Sequence, residues 1–169
     1  MAKRSERQIR EFEEAQNAPK FRGWLDYQSA SCEIGEGFLD GRDFSSLDFD
    51  GNGLRVAEKW ALELWSDSDE PYRTPDDLKV SQSLTYFVGE VYIRSFEGWW
   101  VNTRIQVGDR TGWTHMVHLP YSQRFLAPNE QLIIALSRRT GEEWSMVYQW
   151  QKEAYAAWVA SGRPPVEEP

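Results

Sequence analysis

TPDDLKVSQSLTYFVGEVYIRSFEGWWVNTRIQV, residues 74–107, decides the fold, because its hydrophobic period changes once, from that of a helix to that of a strand. Thr74 stands where a helix cap belongs, with Pro75 at the first helical position and Asp76 and Asp77 facing the positive helix end. The spacing predicts a helix over 75–96, with Val80, Leu84, Phe87, Val88, Val91 and Ser95 on the buried face. Ser83, Tyr86, Glu90 and Arg94 fall on another face. Glu97-Gly98 stops the helix. From Trp99 the period is two: Trp99, Val101, Thr103 and Ile105 alternate with Trp100, Asn102, Arg104 and Gln106. Turn residues at 108–112 and a second alternation over 113–119 complete an antiparallel hairpin at 99–119.

Outward from this unit, Ser5 and Gln8 have capping-box spacing and predict a helix over 5–16. Leu54, Ala57, Ala61, Leu64 and Trp65 predict another over 54–65, and Pro128 and Gly141 bracket one at 129–139. Trp144 to Trp158 mark a last helix over 143–160. Residues 20–47 fit no template cleanly, since Gly23, Gly35, Gly37 and Gly41 interrupt them, and a helix over 24–33 is the reading there. A further strand is expected near 122–126. The fold class is therefore α+β, a single domain over 1–162 with helices around a small antiparallel sheet, followed by a disordered Pro/Glu tail over 163–169.

Composition bounds the function. In 169 residues there are 24 aromatics, nine of them Trp, which is more than an unfolded chain carries. The net charge of −8 is unevenly spread: residues 23–77 carry fourteen acidic and four basic side chains, residues 1–22 are net +2, and residues 78–169 are balanced. Such a field repels phosphates and anionic lipid and steers basic proteins, so direct nucleic-acid and membrane partners are not expected. No apolar run reaches the roughly 20 residues of a spanning helix. No hydrophobic signal region follows Lys3 and Arg4, and Cys32 is alone; a cytoplasmic protein is the expectation.

Several constellations could carry chemistry. Asp48-Phe49-Asp50-Gly51-Asn52-Gly53 opens like a calcium loop, with Asp48, Asp50 and Asn52 at ligand positions. However, position 12 is Lys59, so a turn and helix cap is the preferred reading and no metal or cofactor is expected. His115 and His118 lie three apart on a strand and point to opposite faces; they cannot share an ion, and one is expected buried, the other exposed. Nucleophile elbows, phosphate loops and zinc-protease motifs are absent, so the chain reads as non-catalytic. Glu90 either pairs with Arg94 on the surface or is buried with Arg94 or Arg104 as its donor. One of Trp99 and Trp100 must leave the face of the other, and is either an exposed interaction anchor or covered by a helix.

The run Tyr86-Phe87-Val88-Gly89-Glu90-Val91, followed by Gly98-Trp99-Trp100, resembles small bacterial α+β proteins in which a helix with Tyr-x-x-Gly-Glu-Val leads into a Gly-x-Trp strand. Some of these look like immunity proteins of polymorphic toxin systems. The resemblance implies a non-catalytic protein that neutralises a toxin by covering its working surface, and carries over no binding residues. Three functions stay open from sequence. The first is a protein-binding module, an immunity-like inhibitor of a basic partner, using Asp43, Asp48, Asp50, Trp99 and Trp100. The second is a small-ligand binder or enzyme with a pocket around Tyr86, Glu90, Arg94 and Arg104. The third is a structural subunit of a larger assembly. The sequence does not set the oligomeric state.

Overall fold

The computed structural model describes residues 5–33, 42–107 and 109–166. Among these, helices α1 (Glu6–Gln16), α2 (Pro19–Glu33), α3 (Gly51–Leu64) and α4 (Pro75–Phe96) precede strands β1 (Trp99–Val107) and β2 (Arg110–His118). Helices α5 (Pro128–Arg138) and α6 (Glu143–Ala160) follow. The α+β class expected from the sequence is the one observed, with helices gathered around one antiparallel hairpin.

Helix α4 is the axis of the molecule. Thr74 Oγ1 accepts the Asp77 amide at 3.1 Å, as the cap pattern predicts. The helix is buried on more sides than an amphipathic stripe: Ser83, Tyr86, Gly89, Tyr92 and Phe96 join Val80, Leu84, Phe87, Val88 and Val91 inside. The reason is that α2, α3, α5, α6 and both strands all pack against it. Ser95 is only half-buried, and its hydroxyl lies 3.2 Å from Tyr148 Oη. The stop at its end works through Glu97, which itself adopts the left-handed conformation at φ 58°. The Glu97 carboxylate accepts hydrogen bonds from Tyr155 and, on both oxygens, from Arg163, at the point where the tail had been expected to begin.

Two expectations change. Helix α2 starts at Pro19, five residues before the reading from sequence, and accommodates Gly23 in its interior. No strand forms at 122–126; a single antiparallel bridge joins Val117 and Leu126, with paired amide-to-carbonyl bonds of 2.8 and 2.9 Å. Pro128 ends that extended segment by starting α5. On the other edge of the sheet, the Gln16 side-chain amide closes on the Asn102 backbone, donating to its carbonyl and accepting from its amide, both at 2.9 Å. A side chain thus occupies an edge where another strand would otherwise pair.

The packing of α3, α5 and α6 rests on a buried carboxylate. Glu58 is fully buried and accepts the amides of Glu143 and Trp144 at 3.1 and 2.9 Å, so it caps the first turn of α6 from the middle of α3. Burial raises its pKa against the opposing effect of these two bonds. Glu58→Gln keeps the volume but turns an amide group toward two N–H donors. A loss of about 1–3 kcal/mol is expected in urea unfolding, and an unchanged midpoint would show that the cap contributes nothing.

Candidate functional site

The hairpin register sets which side chains act together. Trp100 faces Val117, Asn102 faces His115, and Arg104 faces Trp113. These six residues share one side of the ribbon, by the alternation of strands. At its inner end the Trp100 indole lies on Gly89, parallel to Tyr86 (centroids 5.5 Å apart) and edge-on to Trp24 (5.2 Å). Its Nε1 donates to Glu90 Oε1 at 2.9 Å. The second Glu90 oxygen accepts from Arg94 at 3.2 Å, and the Arg94 guanidinium lies 3.6 Å from the centre of the Phe49 ring. Glu90 therefore positions a tryptophan and an arginine at once. Burial, with Glu90 nearby, raises the Tyr86 hydroxyl to about 12.

Of the pocket read around Tyr86, Glu90, Arg94 and Arg104, the structure brings together the first three. Arg104 is a correction: it does not reach Glu90 but pairs with Glu11 of α1 at 3.4 Å, and its guanidinium sits 5.3 Å from the Trp113 ring. Its place four residues beyond Trp100 along β1 carries it to the outer part of the ribbon, where α1 supplies the carboxylate.

The middle of this face is aromatic and uncharged. His115 stacks on Trp24 with centroids 4.0 Å apart and planes 25° from parallel, and on Phe21 at 5.3 Å. Burial depresses its pKa to about 4, so the ring is neutral at neutral pH. His115 itself is half-buried, while the other histidine, His118, is buried, edge-on to Trp99 and Phe125. The expectation of one buried histidine is met by His118, but the other, His115, is half-buried and not exposed, because α2 packs over its face of the hairpin while the 121–126 segment folds against the opposite one. The prediction of opposite faces holds through the register.

Two cavities meet at His115 and Trp113. One, of about 210 Å³, lies toward α4 and is lined by Trp24, Tyr72, Leu78, Trp100 and Asn129 besides the shared pair. The other, of about 770 Å³, opens between the hairpin and the α1–α2 corner, with Glu14, Lys20, Phe21, Asn102 and Arg104 on its walls. Trp113 is half exposed at their common rim. Nothing in residues 74–107 points to this arrangement. The available signal was the strand pairing itself, which places Trp113 and His115 beside Arg104 and Asn102 once the hairpin is closed.

The acidic candidates divide. Asp43 caps the 3-10 turn at Phe44–Ser46, accepting from the Ser45 amide and hydroxyl, and Asp50 caps α3, accepting from the amides of Asn52 and Gly53. Both are thus engaged in local structure, whereas Asp48 is exposed. The cap preferred over a calcium loop is what Asp50 forms, and among the described residues no group of three His, Cys, Asp or Glu side chains is placed to hold a metal ion. Of the adjacent tryptophans, Trp99 is the exposed one, at 45%, while Trp100 turns inward. Among the described residues no helix is long and apolar enough to cross a membrane. Compared with protein-family models, curated proteins and solved structures, the chain matches none of them.

Proposed function

We propose that the protein is a non-catalytic binding module that acts in the cytoplasm on a basic protein, in the manner of an immunity protein on its toxin. One observation carries this reading: exposed Tyr72 of the acidic segment and exposed Leu78, the residue just after that segment, line the same cavity as the half-exposed Trp113 of the hairpin. The acidic third of the chain and the exposed tryptophan, separate in sequence, form one surface. Asp69 and Asp76, both exposed, are close to it along the chain: the Asp69 carbonyl accepts the Tyr72 amide, and Asp76 is in the first turn of α4, two residues before Leu78. An apolar centre containing Trp and Tyr with a charged rim is the usual anatomy of a protein-binding hot spot. The rim steers a partner of opposite charge.

The test is retention from lysate of the source cell on tagged wild-type protein, followed by calorimetry of what is retained. A basic protein bound stoichiometrically and released by salt is expected. Trp113→Ala should weaken it by about 2 kcal/mol or more, as hot-spot truncations do. Asp69→Lys with Asp76→Lys should slow association and flatten the salt dependence. Retention of the same proteins by wild type and by the triple variant would overturn the reading.

A further inference from the structure

The larger cavity has a lining that, Trp113 aside, the protein-binding reading does not use. It occupies about 770 Å³, within the roughly 300–1,000 Å³ range of small-molecule sites. Its floor is the His115 ring, backed by Trp24 and Phe21, and its rim is Trp113. These give a ligand flat apolar surfaces on two sides. The charges on its walls come in opposite pairs: Glu11 and Glu14 from α1, Lys20 from α2 and Arg104 from β1. Glu11 and Arg104 are already paired with each other, and Glu11 also with Arg7. Glu14 and Lys20 make no ion pair among the described residues, and they stand on either side of the α1–α2 corner.

An apolar ligand would leave both of these charges unsatisfied at the mouth, and an anion or a cation would satisfy one and be repelled by the other. A molecule with a ring and both charges matches all three features. We infer that the cleft between the hairpin and the α1–α2 corner binds a small aromatic zwitterion, of the class of a free aromatic amino acid. Its ring lies against Trp113 and His115, its carboxylate meets Lys20 and its ammonium meets Glu14. His115 is uncharged at neutral pH and so does not disturb the balance of charge. The occupant is recognised by its backbone charges as well as its ring, so peptides blocked at both ends are excluded.

Titration calorimetry on the full chain at neutral pH, with L-tryptophan, L-tyrosine and L-phenylalanine as probes, tests this directly. Saturable 1:1 binding of at least one is expected. For tryptophan, tryptamine lacks the carboxylate and indole-3-propionate lacks the ammonium, and each should bind about tenfold or more weakly. Lys20→Gln should remove the preference over tryptamine and leave that over indole-3-propionate; Glu14→Gln should do the reverse. Both positions are exposed, so the fold is retained, and neither belongs to the surface proposed for the protein partner, whose retention these variants should leave unchanged. No binding of any of the three amino acids at millimolar concentration would overturn the inference. So would analogues that bind as well as their parents, or charge variants that leave the preferences unmoved.

Discussion

Gly89→Ala is expected to be among the most destabilising single-methyl additions in the molecule, at about 3 kcal/mol. A Cβ at this position would overlap Cζ2 and Cη2 of the Trp100 indole, which lies directly on the helix backbone. The indole has little freedom to retreat. Tyr86 lies parallel to it, Trp24 meets it edge-on, and Glu90 holds its Nε1 at 2.9 Å. Overlap must therefore be relieved by moving the hairpin away from α4, which opens the interior around Val117 and Leu119. In a chain of this size each kcal/mol lowers Tm by roughly 2–4 °C, so a fall of about 6–12 °C is expected. A double-mutant cycle separates this cause from a generic effect on the helix. Trp100→Ala alone also destabilises, by roughly 3 kcal/mol, through the lost ring. In the double variant the new methyl enters space the indole has left, so the combined cost should fall well short of the two single costs added together. Strict additivity in urea unfolding would show that Gly89 and Trp100 do not meet as described.

The same contact shows how far the sequence could be read. Boundaries set by local chemistry were legible: the Thr74 cap, Pro75 and the stop at Glu97-Gly98 place α4 correctly, and the change of period places the hairpin. Helix α2 was legible only in part. Its sequence mixes Trp24, Tyr27 and Cys32 with Lys20, Asp26 and Gly23 without a single apolar stripe, because its neighbours are a ring cluster on one side and solvent on the other. The extended segment before Pro128 has the composition of a strand but meets its neighbour at one residue pair. The candidate site was hidden for another reason. Arg104 finds Glu11, 93 positions away, and Tyr72 and Leu78 share a cavity with Trp113; such pairings belong to the assembled fold and leave no periodicity behind. Conversely, Asp43 and Asp50 were conspicuous in sequence because caps and binding sites draw on the same residue types.

Acid should loosen the protein through His115 before most of its carboxylates titrate. The ring is held between Trp24, Phe21 and the hairpin, where burial lowers its pKa from 6.5 to about 4. In the unfolded chain the imidazole takes up its proton near pH 6.5, while the folded protein resists it until about pH 4. Between these values the unfolded state binds more protons, so stability rises with pH and is lost as pH falls. The contribution is fully present above pH 6.5, and its loss by pH 4 amounts to about 3 kcal/mol, at 1.36 kcal/mol per unit of pKa. Other groups act in and below this range. Asp67, Glu70, Asp77 and Glu97, whose pKa values hydrogen bonds lower, lose their stabilisation at still lower pH, while the raised pKa of Glu58 acts in the opposite sense. A difference measurement therefore isolates the histidine. His115→Phe keeps a ring against Trp24 and removes the proton site, so its urea midpoint should change less than that of wild type from pH 7 to pH 4.5. The two profiles should converge above pH 6.5 in slope, and parallel profiles down to pH 4.5 would mean that the imidazole is solvated in the folded protein. The result bears on the cleft as well, because a ring that stays neutral there lets Glu14 and Lys20 set the charge a ligand meets.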